Sequence, residues 1–421
     1  MHQVANFVSK YKYDMSAIAL LGFQLWLMRP SFDKMHDWCT TPYALTYEYG
    51  IGPRFFIGTI VLAMTRFLST RFLYLFILIS LVALIVLVSF FFGSCIRSIR
   101  RVEQPDGLIV GRSPATSTEV AISAIVILYL SSPASVAYLF GTGNFERLDL
   151  YLLLYSIVAM FCLRTKHFKF IIPLLCVIAV ATHEVFVFTY CPLVIVILLF
   201  HLHESNYNRR SISLLAVTAG CTLLTFMYFQ FFATISVSDM DTWISLIQQR
   251  TNVPIAADVL RYEYFTATPV KQLVTVDRLQ IGLVVIVLML PLHFILAKIH
   301  LLAMNNSSTV GRKMSLALIL GLPILSLPAF IMTSDWGRWF AAVYTVQIFA
   351  ILYLAWTRCD PVISALRGFS ELIKKHPFLF GVLILYFNML GKFGASGILN
   401  VAVSCRDMFA SIFRVIGDLH P

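Results

Sequence analysis

Charged residues are scarce in this chain. Only 13% of its 421 residues are Asp, Glu, Lys or Arg, whereas soluble domains carry about 25%. This scarcity excludes an ordinary soluble enzyme. The hydrophobic content of 59% and the mean hydropathy of +0.82 indicate a polytopic membrane protein instead. The longest polar stretch is about 236–278, too short for a soluble catalytic domain, so the sequence predicts a single polytopic domain over 1–421.

Patterns for metals and disulfides are also missing. The eight cysteines include no CxxC pair and no zinc spacing, and several lie in apolar segments. We interpret these as small buried apolar residues, although a bridge between Cys39 and Cys405 is compatible with the sequence. No cofactor is predicted; a divalent metal on the carboxylates is compatible with the sequence but not required by it.

The net charge of +11 does not by itself indicate a nucleic-acid partner. In a polytopic membrane protein, Lys and Arg concentrate on the cytoplasmic side and face anionic lipid headgroups. Residues Arg29 and Pro30 follow the first apolar stretch where a signal peptide would have small residues. The sequence therefore predicts an uncleaved first span.

Apolar segments predict about eleven membrane segments in an all-α fold. They are 14–29, 72–93, 119–140, 149–163, 170–182, 185–200, 211–235, 279–301, 314–333, 339–357 and 378–400. Basic residues in 94–118, 164–169, 201–210, 298–313 and 358–377 place those loops in the cytoplasm. Only two spans then fit before residue 94, so we predict that 55–68 is an interfacial helix within an outer loop, 30–71. A second outer loop is predicted at 236–278.

The stretch 170–200 is too long for one span and too short for two full ones. His183 and Glu184 interrupt it near the middle, and basic residues flank both of its ends. These features predict a re-entrant-like hairpin with His183 and Glu184 at its tip. Ionisable residues placed there are functional candidates, and a satisfied helix-breaking turn is the structural alternative.

Four predicted outer segments carry charged residues without an obvious role in solubility. Convergence of distant loops on one face of a rigid scaffold is typical of active sites. The candidate catalytic residues are Asp37, Asp33, His183 and Glu184, and the candidate substrate-binding residues are Arg54, Arg147, Asp149, Asp335, Arg338 and Trp336. Three alternatives stay open: Asp33 and Asp37 as solvated charges, Arg54 as a headgroup anchor, and Arg147 with Asp149 as a structural ion pair.

These residue types suit sugar transfer from a lipid-linked donor. Such a reaction needs a carboxylate as general base or charge stabiliser, and cations to hold the departing phosphate. Arginine suits the second task because its planar guanidinium binds phosphate through two hydrogen bonds. Tryptophans at the same face can stack on sugar rings.

The layout resembles the GT-C membrane glycosyltransferases, in which a first span precedes a long outer loop with an acidic residue and interfacial helices. It also resembles EpsG and Wzy-like polysaccharide polymerases. The matching stretches are 32–37, 47–54, 147–149, 183–184 and 335–339. The first loop departs from the family pattern, since no Asp-Asp or Glu-x-Asp pair is present. Asp33 and Asp37 therefore both remain candidates for the catalytic carboxylate.

The resemblance implies a glycosyltransferase or polymerase of the bacterial inner membrane that assembles cell-surface polysaccharide. Its implied partners are a polyprenyl-linked saccharide, membrane lipid and other polysaccharide-assembly proteins. In the implied mechanism Arg147 and Arg338 hold the carrier phosphate, and Asp335 fixes Arg338. The alternatives are a flippase or transporter of lipid-linked oligosaccharide, a histidine-dependent acyltransferase and a structural subunit.

Overall fold

The computed structural model describes residues 2–28, 30, 35–103, 116–141, 145–165, 167–237, 239–264, 274–332 and 335–393. These residues are nearly all helical, which confirms the predicted all-α class. In chain order the first elements are α1 (His2–Met28), α2 (Asp37–Thr40), β1 (Gly50–Ile51), α3 (Phe55–Met64), α4 (Thr70–Glu103), α5 (Ser117–Ser131), α6 (Val136–Gly141), α7 (Asp149–Arg164), α8 (Ile172–Thr182) and α9 (Cys191–Glu204).

The later elements begin with the long helix α10 (Arg209–Phe231). They continue with β2 (Thr234–Ile235), α11 (Met240–Gln248), α12 (Ala257–Tyr264), α13 (Val276–Asn305), α14 (Val310–Leu320), α15 (Leu322–Leu325), α16 (Leu327–Met332), α17 (Trp336–Trp356), α18 (Asp360–Lys375) and α19 (Pro377–Leu390). Short 3₁₀ turns at Lys169–Ile171 and Glu184–Val187 precede α8 and α9.

Six helical segments of the described chain are long and apolar enough to cross a membrane. They are Thr70–Arg100, Ser117–Gly141, Glu184–Glu204, Arg209–Phe231, Val276–Asn305 and Trp336–Trp356. The remaining predicted spans correspond to the first helix, to shorter helices or to the broken run α14–α16, and 378–400 extends beyond the described residues. The count of about eleven therefore stays a prediction.

The chain reverses at His183 and Glu184. Lys169, at the start of the first arm, has its Nζ 3.2 Å from Nε2 of His201, near the end of the second arm. This contact shows that the chain returns to the end from which it started, and both arms pack against α7 and α10. The second arm, Glu184–Glu204, has 21 residues and is long and apolar enough to cross a membrane. It consists of the 3₁₀ turn Glu184–Val187, a short turn and α9. The first arm is shorter, so the hairpin is asymmetric.

The bundle has two polar ends, named here from the orientation that the charge bias predicts. The inner end carries Asp14, Arg97, Arg164, Lys169 and Lys374. The outer end carries the predicted site residues that the structure describes. Helix α17 lies at the centre of the bundle, since its membrane-spanning stretch is buried along its whole length. Its first turn reaches the outer end.

The described parts of the two predicted outer loops form a single outer layer. Strands β1 and β2 pair antiparallel, with Gly50 opposite Ile235, and the Leu68 amide donates to the Arg250 carbonyl at 2.8 Å. Gly50 has φ of +121°, and a Cβ there would meet the Thr234 carbonyl oxygen at 2.3 Å, so the pairing requires glycine. The predicted helix at 55–68 is present as α3, which ends at Met64 and packs against the 3₁₀ turn Thr41–Ala44 and against α8. Its position in the membrane interface stays a prediction.

Candidate functional site

A buried network of four charged residues lies at the outer end of α17. Arg338, in the first turn of α17, donates from Nη1 to Asp149 Oδ2 and from Nη2 to Asp335 Oδ2. Arg147 reaches the same Asp335 oxygen with Nη1 at 3.5 Å. The side chains of Arg338 and Asp149 are only 6% and 3% exposed. The network therefore joins the segment before α7 to the segment before α17.

Burial makes this network sensitive to the loss of any member, because a desolvated charge is stable only beside its partners. Desolvation acts to raise the pKa of Asp335, but the guanidiniums of Arg338 and Arg147 outweigh it, and the pKa lies below its usual value. The indole of Trp339 forms a cation–π contact with Arg338, whose guanidinium carbon lies 4.7 Å from the centre of the ring.

Three buried polar atoms of the network have no hydrogen-bond partner within the described residues. They are Nε of Arg147, Nε of Arg338 and Oδ1 of Asp149. Buried polar groups are normally satisfied, and exceptions concentrate at functional sites. Two guanidinium N–H groups and one carboxylate oxygen are thus unpaired within the described network, and each is closed off from solvent, so a ligand reaches them only when the network opens.

A second network ties the outer layer to the tip of the hairpin. Arg54 donates from Nη2 to Glu184 Oε1 at 2.6 Å and from Nε to Glu184 Oε2 at 3.3 Å. The same Oε2 lies 3.2 Å from Nδ1 of His183. Arg54 precedes α3 with φ of 68°, in the left-handed region that costs a non-glycine residue about 1–2 kcal/mol. The two-bond ion pair offsets this strain and fixes the position of the hairpin tip.

A third group of residues is more accessible. Nδ1 of His36 lies 2.9 Å from Oδ1 of Asp37, with side chains 64% and 46% exposed. The His36 amide donates to Oε1 of buried Glu146 at 3.1 Å. Since Glu146 immediately precedes Arg147, this contact places the His36–Asp37 pair beside the buried network.

Burial raises the pKa of two residues beside the His36–Asp37 pair, Glu146 and Cys39. It raises the pKa of Glu146, although backbone hydrogen bonds and the charge of Arg147 oppose the rise. It also raises the pKa of Cys39 to about 11, so Cys39 is a neutral thiol at physiological pH. Asp37 differs from Glu146 in being accessible to a substrate from outside the bundle.

The structure brings most of the predicted site residues together. Arg147, Asp149, Asp335 and Arg338 share the first network, while Arg54, Glu184 and His183 share the second. Asp335 lies within electrostatic range of His183, so the two networks are neighbours. Asp37 lies beside the first network, and Asp33 lies outside the described residues.

Trp336 is placed differently from the other predicted site residues. Its indole Nε1 donates to the Phe330 carbonyl at 2.8 Å, and its ring packs against Phe330 and Gly282. Residues two apart on a helix project from different faces, so Trp336 points away from the network that contains Arg338. Its side chain is in position to fix the start of α17.

Two further residues at this end, Glu146 and His36, contact the site but were not among the predicted site residues. Glu146 was visible in the sequence, since it stands next to Arg147, but its burial and its bond to His36 depend on the packing of the loop. His36 was visible as a neighbour of Asp37. Within the described ranges, no three His, Cys, Asp or Glu side chains are grouped so that they could hold a metal.

Comparison of the chain with protein-family models, with curated proteins and with solved structures finds no match in any of the three. An accessible carboxylate–imidazole pair lies beside buried guanidiniums at one end of an apolar bundle. Together they can take up a proton at one point and stabilise developing negative charge at another.

Proposed function

We propose that this chain is a membrane glycosyltransferase or polymerase that takes a sugar from a polyprenyl phosphate or diphosphate carrier at its outer end. It acts in the assembly of cell-surface polysaccharide in the bacterial inner membrane. The observation that carries the proposal is the juxtaposition of Asp37 and His36 with the buried Arg147–Asp335–Arg338–Asp149 network. The apolar helices around it suit a lipid-linked donor.

In this mechanism Asp37 is the general base or charge stabiliser. Its carboxylate is half exposed, so an acceptor hydroxyl can approach it, and His36 Nδ1 lies within hydrogen-bond distance. A carboxylate in such a position takes the proton of the attacking hydroxyl or stabilises positive charge on the sugar. Asp33 precedes Asp37 in the same loop and remains the alternative carboxylate.

The arginines stabilise the departing phosphate. The guanidiniums of Arg338 and Arg147 are held by carboxylates before the substrate arrives, so little reorganisation is needed as negative charge develops on the leaving group. Arg147 is the more accessible of the two, with its side chain 20% exposed against 6% for Arg338. Arg54, Glu184 and His183 hold the hairpin tip against this site and orient the sugar or the phosphate.

Turnover in liposomes tests the proposal. The substrate is a fluorescent undecaprenyl-diphosphate oligosaccharide, and wild type is compared with Asp37→Asn and Asp33→Asn. The matched control is Asp241→Asn, because Asp241 is also an exposed carboxylate in the first turn of a short helix of the outer layer. Loss of the catalytic carboxylate should reduce the rate by about 10²–10⁴-fold while the lipid still binds.

The outcomes separate the transferase from its alternatives. Longer glycans whose formation depends on Asp37 or Asp33, but not on Asp241, support the transferase and identify its carboxylate. Movement of the labelled lipid across the bilayer without any new glycan would overturn the transferase and favour a flippase. Equal rates in all three variants would remove the outer carboxylates from the mechanism.

A further inference from the structure

A polar cavity of about 230 Å³ lies at the inner end, far from the outer site along the helices. It opens between the end of α7, the two arms of the hairpin and the end of α17. Apolar side chains form part of its wall. Its polar lining consists of Arg164, Lys169, His201, Glu204, Tyr353 and Thr357.

The two cations of the cavity form no salt bridge with a carboxylate of the described residues. Arg164 lies over the ring of Trp356, with its guanidinium carbon 5.1 Å from the ring centre. Lys169 Nζ lies 3.2 Å from Nε2 of His201. Within the part of the chain that the structure describes, neither cation forms an ion pair. Both therefore retain hydrogen-bond donors for a ligand.

Among the basic groups of the cavity, Arg164 and Lys169 carry the positive charge and His201 does not. A lysine ammonium can only donate, so Nε2 of His201 must be the acceptor, and the imidazole is neutral. Glu204 is the one carboxylate among the residues that line the cavity. Two positive charges and one negative charge leave the lining with a net charge of +1, which complements a monoanion.

A phosphate group fits this lining in chemistry and in size. Phosphate oxygens accept paired hydrogen bonds from a guanidinium and further bonds from an ammonium. Thr357 already donates its hydroxyl to the Leu354 carbonyl, which leaves its oxygen as an acceptor for a protonated ester. The volume is below the roughly 300–1,000 Å³ of sites for drug-sized ligands, so the cavity suits a headgroup and not an oligosaccharide.

We propose that the inner cavity binds a phosphate group, either from the headgroup of an anionic phospholipid or from a soluble phosphate ester. The site is separate from the outer site in both position and role. It uses the start of the hairpin whose tip contributes to the outer site, so an occupied cavity would hold the base of the hairpin in place.

Titration with inorganic phosphate tests the site in the full-length protein in detergent. The test variant is Arg164→Gln/Lys169→Gln. The matched control is Arg209→Gln/Arg210→Gln, which removes the same charge from two exposed residues at the same end. The test variant should bind phosphate about ten- to hundredfold more weakly than wild type, while the control should bind as wild type does.

Glu204→Gln provides an independent change in the opposite direction. It raises the net charge of the lining from +1 to +2 and should tighten phosphate binding about three- to tenfold. This variant keeps both cations, so it answers the question even if the double variant fails to fold. Weaker binding by Glu204→Gln would contradict the charge argument.

Native mass spectrometry of protein reconstituted with phosphatidylglycerol distinguishes the two sources. Retained lipid that is lost in Arg164→Gln/Lys169→Gln but kept in the control supports the site and identifies a headgroup. Saturable binding of inorganic phosphate without retained lipid supports the site and identifies a soluble ester. Absence of both, or equal losses in test and control variants, would overturn the proposal.

Discussion

The charged side chains at the two polar ends of the bundle differ in their partners. At the outer end, ion pairs join segments that are far apart in the chain: Arg54 with Glu184, Arg147 with Asp335, and Arg338 with Asp149. At the inner end, Arg97 pairs with Asp14, 83 positions away, in a buried pair of the same kind. Arg164 and Lys169 differ from all of these, since they line a cavity without an ion pair in the described chain.

This difference indicates that the charged residues at the two ends have different functions. Buried pairs between distant loops add little net stability, because desolvation cancels much of their attraction. They do fix the loops in one arrangement, as a catalytic site requires. Cations without carboxylate partners attract a mobile anion instead. The comparison predicts that outer substitutions reduce turnover and inner ones change stability or anion binding.

The largest effect is expected from Arg338→Leu. The substitution leaves the carboxylates of Asp149 and Asp335 buried without the positive charge of Arg338. This should lower the free energy of unfolding by about 3–5 kcal/mol and abolish turnover. Unfolding in mixed micelles and turnover in liposomes measure the two effects. Arg250→Gln is the control, because the Arg250–Glu48 pair is exposed and such pairs contribute about 0–1 kcal/mol. Equal losses in both variants would contradict the special role of the buried network.

The inner pair should behave differently. Asp14 is 2% exposed and accepts from Arg97 Nη1. Asp14→Asn removes the charge at nearly constant shape, and we expect a loss of about 1.5–3 kcal/mol of unfolding free energy. Turnover per folded molecule should be unchanged. A loss of turnover in folded protein would show that the inner end takes part in the reaction, and the comparison between ends would fail.

The pair Arg54–Glu184 tests whether the hairpin tip depends on the outer layer. Arg54→Gln and Glu184→Gln, alone and combined, form a double-mutant cycle. Because the two-bond contact is about four-fifths buried or more, at 18% and 15% exposure, we expect a coupling free energy of about 1–3 kcal/mol. Unfolding of the four proteins measures it. A coupling near zero would mean that the hairpin tip is held by packing alone.

The smallest effect is expected in the pH dependence of stability. Burial raises the pKa of Glu146, so the folded state keeps the proton to a higher pH than the unfolded state does. Its contribution is fully present below the unfolded value of about 4.3 and declines as pH rises towards the folded value. Glu146→Gln should remove this decline, which unfolding measured from about pH 4 to 7 would detect.

Asp335 supplies the comparison for that experiment, since its pKa lies below the usual range. Its contribution is present above the unfolded value of about 3.9 and is lost as pH falls. Asp335→Asn should therefore change the acid side of the profile. The same response from both variants would contradict the assigned directions.

Several features were predictable from residue patterns. The interrupted apolar run predicted the reversal at His183 and Glu184, and the short apolar stretch after Arg54 predicted the helix α3. The charge bias grouped Arg147, Asp149, Asp335 and Arg338 on one face. These predictions succeed because apolar length and the placement of charges are local properties of a chain in a membrane.

Other features depend on packing that no local pattern encodes. The least apolar of the six candidate spans, α17, is completely buried, whereas the most apolar, in α4, is less than half buried. A helix that faces lipid needs an apolar surface, and a high hydropathy reflects that need. A helix inside the bundle packs against other helices instead, so it can carry polar residues such as Gln347 and Thr345. Trp336 illustrates the same point, since only the packing of α17 turns its ring away from Arg338.

The sequence by itself determined an all-α membrane protein with charged loops at one end, because water and lipid select residues segment by segment. Only the tertiary structure decided which charges meet. Arg338 and Asp149 are 189 positions apart, and the two outer loops join through Gly50 and Ile235. Contacts at such separations arise when helices pack and bring their ends together, and nothing in the neighbourhood of either residue specifies the partner.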